Sequence, residues 1–316
     1  MKSIGGYFEL ELRKGREFHP GAYAFNTARS ALEVLLNKRG YKRVWVPRYY
    51  CESVLKVFEK VESDYEIYDV DKEFNPCLEG KVKDGDAIIL VNYFGLMGNS
   101  ITKLVNRYEN VIVDNSQAFF FYPNKKEDTI YSCRKFFGVI DGSYLYSDVM
   151  TEEEYQKYPV HISGDSVSHL VGRIEEGPEK YYWDFRKNES EIGDGGPKRV
   201  SEISLAILRN IDYDFCERQR TVNFMQLHRV LKQYNELEWH RVTDVRGPLA
   251  YPFLTRKEGL RKKLFLNKIY TAIYWPSSGF DGEWEKYLAE YLVPLPVDQR
   301  YNKEDMDRIL EVIFEL

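Results

Sequence analysis

The chain has 316 residues, a formal net charge of −5 and a sequence pI of about 5.7. Hydrophobic residues make up 43% and charged residues 30%, as in a globular protein with a substantial core, and the length is enough for two domains. Because the balance is acidic and no apolar run approaches the ~20 residues of a membrane span, neither nucleic acid nor a membrane is expected as a partner.

The first two-thirds of the chain alternates helical and strand patterns. Apolar residues recur at helical spacing over residues 28–38, and Gly40 suits the end of that helix. Further helices are predicted over 52–61 and 101–107, and strands over 44–46, 65–68, 87–91, 111–113, 130–131 and 144–146. This alternation predicts βαβ units and a mostly parallel sheet, an α/β fold.

The last third has a less regular pattern. Residues 150–197 are polar, charged and glycine-rich, and a substrate loop or an exposed connection explains them equally well. Residues 199–234 predict one or two long helices. Strands are then predicted over 250–254 and 271–275, and helices over 258–267, 282–291 and from Asn302 onward. We therefore predict a large domain over residues 1–219 and a small C-terminal α+β domain over residues 220–316.

Polar and aromatic residues follow four of the predicted strands. The segments concerned are residues 47–50, 92–95, 114–117 and 132–135. In open parallel sheets, ligands bind beyond the carboxyl ends of the strands. The four segments are therefore expected to converge on one binding site.

Asp114 and Lys135 are the candidate catalytic residues of these segments. Asp114 directly follows an apolar strand, so its carboxylate is expected to be partly desolvated and to need a cationic partner, although a turn aspartate is an equally good interpretation. Lys135 begins an aromatic loop, where a desolvated lysine can attack a carbonyl, but alone it is more often an ordinary surface lysine. Together they match the needs of pyridoxal phosphate, which takes a lysine for its aldehyde and an aspartate for its pyridinium nitrogen.

The start of the first helix, residues 26–30, is the candidate phosphate site. It offers free N–H groups, the Arg29 guanidinium and the Ser30 hydroxyl. By itself, this stretch is better explained as an ordinary helix cap.

Other chemistries find little support. The four cysteines form no C-x-x-C pair and the N-terminus has no signal-peptide core, so reduced thiols and a cytoplasmic location are expected. The histidines show no metal-ligand spacing, so no metal is expected.

Several stretches, in order along the chain, resemble the DegT/StrS-type sugar aminotransferases, which have the aspartate-aminotransferase fold (fold type I). The stretches are NTARSALEVLL, VWVPRYY, IILVNYFG, VIVDNSQAFF, SCRKFFGVIDGSYL, RVSEISLAILRNIDYDFCERQR and LVPLPVDQRYNKEDMDRILEVI. The resemblance extends from about Gly21 to the end. It implies a three-layer α/β/α large domain that binds pyridoxal phosphate, followed by a smaller α+β domain.

The resemblance also implies a role for each matching residue. Lys135 matches the Schiff-base lysine, Asp114 the partner of the pyridinium nitrogen, and Gln117 a residue that contacts the cofactor near its ring. Arg29 and Ser30 match the phosphate-binding pair. Further matches are Ser132, as a third phosphate ligand closer to the lysine than is usual, and Arg199, which reaches the partner subunit's site in family dimers.

Three positions depart from the family pattern, and the chain is short for the family. Ser143 stands where the family has a second glycine after the acid. Cys51 stands where an aromatic residue usually stacks on the cofactor ring, so Tyr50, or Tyr49, is expected to take over that contact. Pro197 replaces an asparagine that contacts the phosphate across the dimer.

The resemblance implies a homodimeric aminotransferase that moves an amino group from an amino acid, glutamate by analogy, to a nucleotide-linked keto sugar. Such a reaction belongs to amino-sugar or surface-polysaccharide biosynthesis. Two alternatives stay open. One is a pyridoxal-dependent sugar dehydratase, against which Lys135 argues because those enzymes typically carry histidine there. The other is a catalytically altered or inactive protein of this fold, which Cys51 and Pro197 favour.

Overall fold

The computed structural model describes residues 4–78, 82–124, 126–193, 195–238, 245–275 and 282–315. The strands are β1 (Tyr23–Phe25), β2 (Arg43–Pro47), β3 (Tyr65–Val70), β4 (Pro76–Cys77), β5 (Asp86–Val91), β6 (Val111–Asn115), β7 (Asp128–Ser132), β8 (Ser143–Tyr146), β9 (Ala250–Leu254) and β10 (Leu292–Pro296). The helices are α1 (Ala28–Arg39), α2 (Glu52–Lys60), α3 (Gly98–Val105), α4 (Glu152–Gln156), α5 (Ser168–Glu176), α6 (Tyr182–Glu191), α7 (Glu202–Leu208), α8 (Tyr213–Leu231), α9 (Leu260–Leu266), α10 (Glu283–Tyr291) and α11 (Lys303–Phe314). Short 3₁₀ turns lie at Tyr93–Gly95 and Gly164–Ser166.

Eight strands form one mostly parallel sheet, in the order β1-β8-β7-β6-β5-β2-β3-β4. The run from β7 to β3 is parallel throughout, and antiparallel pairs occur only towards the edges, at β8 with β7 and β1, and at β4 with β3. Every residue of β5 and β6 is buried, so both faces of the central sheet are covered, as in a layered α/β fold. The predicted α/β fold with a mostly parallel sheet is therefore confirmed.

The C-terminal part is built differently. β9 and β10 form a separate antiparallel pair, and α11 packs against α8 and α9. α8 runs without interruption through the predicted boundary between residues 219 and 220, and one apolar core includes residues from both sides of it, such as Val46 and Ile309. The division into two domains stays a prediction.

Two local predictions differ from the structure. The strand predicted over residues 271–275 is wrong: the segment is irregular, because no strand in the described part of the chain offers it a partner, and β-propensity alone does not make a strand. Residues 150–197 contain the helices α4, α5 and α6, whose charged and aromatic residues hide the helical period. Among the described residues, no helix is both long and apolar enough to cross a membrane.

Candidate active site

A cavity of about 310 Å³ lies at the carboxyl edge of the sheet. β2, β5, β6 and β7 are consecutive in the parallel part of the sheet, and the segments that follow β2, β6 and β7 line the cavity. Residues 92–95, which follow β5, were predicted to join them but do not line it. Six of the predicted site residues line this one cavity: Arg29, Tyr50, Asp114, Gln117, Ser132 and Lys135. The volume suits a small cofactor more than a whole nucleotide-linked substrate.

Asp114 lies at the end of β6 with its orientation fixed by two donors. The register places it between Val91 on β5 and Ile130 on β7, and both of these apolar neighbours also line the cavity. Its Oδ1 accepts a hydrogen bond from the Ser116 N–H at 2.7 Å, and its Oδ2 accepts one from the Tyr50 hydroxyl. Burial, followed by the charge of Asp114, raises the pKa of Tyr50 well above its ordinary value, so that hydroxyl stays protonated and keeps donating.

Gln117 presents an unused donor at the cavity wall. Its Oε1 accepts a hydrogen bond from the Phe94 N–H at 2.7 Å, which fixes the orientation of the amide. Its Nε2 is buried and has no partner among the described residues. A buried N–H₂ group without a partner is costly, and a ligand oxygen in the cavity would satisfy it.

Lys135 lies in a tight loop that begins where β7 ends. Cys133 donates its N–H to the Gly142 carbonyl at 3.0 Å and accepts from the N–H groups of Phe136 and Phe137 at 3.0 and 2.9 Å, respectively. Gly142 has a φ of 133°, and a Cβ there would lie 3.2 Å from the Cys133 side chain, so a glycine is needed at this point. The loop leaves the Lys135 side chain exposed at the mouth of the cavity.

The acid that precedes this glycine is buried and anchors the loop. Asp141 accepts hydrogen bonds from the Ser201 N–H and hydroxyl at 2.9 and 2.6 Å, and His161 Nδ1 lies 2.8 Å from its Oδ2. Asp141 does not line the cavity. The acid-glycine pair therefore acts on the site by holding the Lys135 loop in place.

The N-terminus of α1 reaches the same cavity. Thr27 caps the helix by accepting from the Ser30 N–H at 3.0 Å, and its hydroxyl also lies 2.9 Å from that of Ser30. Arg29 extends into the cavity wall, where a Cβ at Gly193 would lie only 2.8 Å from its Nη2. The guanidinium can pack this closely only because Gly193 has no side chain.

Two predicted site residues do not line the cavity of this chain. Ser30 is buried beneath the helix start, where its hydroxyl is engaged with Thr27. Arg199 donates from Nε to the Tyr158 carbonyl at 3.0 Å and from Nη1 to the Gln156 side chain. The phosphate role of Ser30 and the cross-subunit role of Arg199 stay predictions.

Sequence reasoning also missed residues that line the cavity. Glu189 and Trp275 lie outside every segment predicted to form the site. Thr27, Ser116 and Arg134 lie inside predicted segments but were given no individual role, and Cys51, noted only as a departure, lines the cavity too. Arg134 stands directly before Lys135 in the SCRK stretch, and this position could have indicated that it lies at the site. Glu189 lies in a segment that was predicted to be a loop, and Trp275 lies in one that was predicted to be a strand. The sequence therefore gave no indication that either residue lines the cavity.

A larger cleft of about 1310 Å³ adjoins the cavity. It lies between α5 and α6 on one side and the C-terminal part on the other, and it is lined by aromatic and cationic side chains, including Tyr181, Phe185, Arg173, Lys262 and Tyr270. Of the residues that the structure describes, only Arg134, Lys135 and Glu189 line both spaces. Lys135 thus stands between a small cavity and a cleft large enough for a sizeable substrate.

The structure is similar to those of several aminotransferases. It matches the sugar aminotransferase CalS13 from Micromonospora echinospora at 17% identity and a TM-score of 0.66, over 93% of this chain and 87% of that one. It matches a DegT DnrJ EryC1 StrS aminotransferase from Brucella abortus at 18% identity and a TM-score of 0.62, over 93% and 85%. A third match is Spr1654 from Streptococcus pneumoniae in its PLP form, at 16% identity and a TM-score of 0.63, over 92% and 86%.

No family model matches the chain, and no curated protein matches it. At the identities found, the likeness to solved structures establishes the fold. The chain has the fold of the fold type I aminotransferases, and its resemblance to the DegT/StrS-type sugar aminotransferases is confirmed at that level.

Proposed function

We propose that this protein is a pyridoxal-phosphate-dependent aminotransferase that moves an amino group from an amino acid, glutamate by analogy, to a nucleotide-linked keto sugar in amino-sugar or surface-polysaccharide biosynthesis. One observation carries the proposal. Asp114 on β6 and Lys135 in the loop after the neighbouring β7 line one small cavity together with the Gln117 amide, whose Nε2 has no partner among the described residues. The shared fold with sugar aminotransferases supports it.

The residues present fit the cofactor. The Asp114 carboxylate keeps lone pairs beyond the two donors that orient it, so it can also accept from a pyridinium N–H. The unpartnered Gln117 amide would donate to an oxygen on the ring. Arg29 and the first N–H groups of α1 would hold the phosphate, with Ser132 as a further donor. Tyr50 and Trp275 contribute aromatic side chains to the wall of the cavity.

Each protein group then has a defined task. When bound, pyridoxal phosphate would supply an aldehyde carbon that takes up the amino group and a protonated ring that takes up electrons. The Lys135 amine would hold the cofactor's aldehyde carbon, and once the donor has taken its place it would move a proton to and from the substrate carbon. Asp114 would keep the proton on the ring nitrogen, and Tyr50 and Ser116 keep Asp114 in place.

The volume of the large cleft supports the proposal that the acceptor is bulky. Glutamate does not need about 1310 Å³, whereas a sugar joined to a nucleotide would occupy much of it. Aromatic side chains there can stack on a base, and Arg173 and Lys262 can pair with phosphate groups. The homodimer with shared sites and the reach of Arg199 into the partner belong to this proposal and stay predictions.

The proposal is tested by adding pyridoxal phosphate to the purified protein. The absorbance of the bound cofactor should appear with wild type and be lost with Lys135→Ala, because only the amine can hold the aldehyde covalently. Borohydride reduction followed by peptide mass spectrometry should then place the label on Lys135. Lys103→Ala, which removes an exposed lysine on α3, is the matched control and should behave as wild type.

The same titration separates the alternatives. A wild-type protein that takes up no more pyridoxal phosphate than Lys135→Ala would end the proposal. Uptake at Lys135 without any conversion of the cofactor by glutamate or other amino acids would favour the catalytically altered protein.

A further inference from the structure

The wall between the cavity and the large cleft contains a partly buried ion pair. Arg134 on the Lys135 loop pairs with Glu189 on α6, and the two residues line both spaces together with Lys135. The arginine side chain is 16% exposed, whereas that of Glu189 is 39% exposed. The acid can therefore turn towards solvent at little cost, while the arginine is fixed in the wall.

The charge of Arg134 is poorly compensated. Burial, followed by the positive charge of Arg29, lowers the pKa of Arg134 to about 10, and Asp141 opposes this shift. Lys135, the next residue, adds a further basic group at the cavity. Glu189 is the one carboxylate found in an ion pair with Arg134 among the described residues. The site therefore has more positive than negative groups and favours an added anion.

We propose that Arg134 binds a carboxylate of the amino donor and that Glu189 holds this position until the donor displaces it. The Glu189 carboxylate already makes the ion pair that the donor's carboxylate would make. This ion pair lies beside Lys135, whose place on the cofactor's aldehyde carbon the donor's amine would take. Arginine suits the task because its planar fork matches a carboxylate. The inference rests on the proposed function for the identity of the anion.

The test is the binding of glutarate, which has two carboxylates but no amine and so binds without reaction. Isothermal titration of the full chain in phosphate-free buffer should give an affinity that Arg134→Gln weakens about tenfold or more, since it removes the charged partner. Glu189→Gln should tighten binding several-fold, because it removes the internal competitor. Arg134→Lys keeps the charge but not the fork and should fall between wild type and Arg134→Gln.

Glu191→Gln is the matched control, because Glu191 is exposed at the end of the same helix and lines neither space. It should bind glutarate as wild type does. Weaker or unchanged binding by Glu189→Gln would overturn the proposal, even if Arg134→Gln failed to fold. If both substitutions changed the affinity for inorganic phosphate and neither changed the affinity for glutarate, the carboxylate assignment would be overturned. Arg134 would then be assigned to the binding of a phosphate.

Failure here is distinguishable from failure of the proposed function. Glutarate needs neither pyridoxal phosphate nor the Lys135 amine to bind. If glutarate binding followed the expected pattern but no cofactor became attached to Lys135, the carboxylate site would stand and the aminotransferase proposal would fail. A cofactor on Lys135 with glutarate binding unaffected by Arg134→Gln would remove this inference alone.

Discussion

Asp114 shows how a carboxylate can be buried at a strand end and still be oriented for chemistry. Its relative exposure is 8%, and it has one neutral donor on each oxygen, the Ser116 N–H and the Tyr50 hydroxyl. Neither donor carries a charge, so neither neutralises it. A cationic ring nitrogen at the cavity wall would therefore be the most favourable partner for this carboxylate.

Asp114→Asn tests this role at the residue scale. The amide keeps the shape of the carboxylate, so the fold and the attachment of pyridoxal phosphate to Lys135 should survive. Turnover with an amino donor should fall by on the order of a hundredfold or more, as is typical when one preorganised electrostatic contact is lost. Single-turnover rates followed by cofactor absorbance measure this, and an Asn variant as fast as wild type would contradict it.

The sequence predicted some of these residues because strand ends can be read from apolar runs. Asp114, Gln117 and Lys135 each follow such a run, and parallel strands bring their carboxyl ends together. It could not predict the pairing of Arg134 with Glu189, which are 55 positions apart, because nothing in the sequence places α6 beside β7. Contacts that depend on helix placement need three-dimensional information.

At the scale of elements, α8 joins the sheet to the C-terminal part through one buried arginine. Arg220 has 1% relative exposure, and its guanidinium donates to Gln299 Oε1 at 2.7 Å, to the Pro248 carbonyl at 3.0 Å and to the Phe136 carbonyl at 3.1 Å. It also lies 4.5 Å from the centre of the Phe136 ring. One side chain thus ties the Lys135 loop to segments beside β9 and β10.

Arg220→Met should destabilise the protein strongly. The thioether keeps most of the volume but donates no hydrogen bond. The Gln299 Oε1 and the Pro248 carbonyl lose this donor, and the Phe136 carbonyl keeps only the one from Gln299 Nε2, so the free energy of unfolding should fall by about 3 kcal/mol or more. Urea unfolding followed by circular dichroism measures the change. Arg218→Met, on an exposed position of the same helix, should cost less than about 0.5 kcal/mol. Equal losses in the two variants would refute the anchoring role.

The elements that could be predicted are those whose apolar pattern is set by the sheet. β5 and β6 are continuous apolar runs because both faces are buried, and α1 shows a clear helical period with Gly40 at its end. α5 and α6 could not be predicted, since they line the cleft with exposed aromatic and charged residues instead of facing a core. The sequence signal is weakest where the structure forms a cleft.

At the scale of the whole molecule, the segment before β1 is fixed to the sheet by a buried histidine. His19 has 1% relative exposure, and its Nε2–H donates to the Phe119 carbonyl at 2.8 Å. Its ring lies 4.0 Å from that of Tyr131 on β7 and 5.0 Å from that of Phe18. This aromatic cluster continues to Tyr213 on α8, so one histidine lies at the junction of three parts of the chain.

Burial of His19 predicts how stability depends on pH. Desolvation lowers the pKa of His19 from 6.5 to about 4 in the folded protein. Above pH 6.5 the ring is neutral in both states and its stabilising contacts are fully present. Between pH 6.5 and 4 the unfolded chain binds a proton that the folded protein does not. The free energy of unfolding therefore decreases as the pH is lowered, by up to about 1.4 kcal/mol per pH unit.

His19→Gln isolates this contribution, because the amide can still donate to the Phe119 carbonyl but does not titrate. The variant should be less stable than wild type at pH 7.5, where it lacks the ring contacts, and the gap should narrow or reverse by pH 4.5. Other titrating groups act in both proteins and cancel in the difference. Urea unfolding at several pH values measures the gap, and a gap that does not change with pH would mean that His19 takes up its proton in the folded state as readily as in the unfolded one.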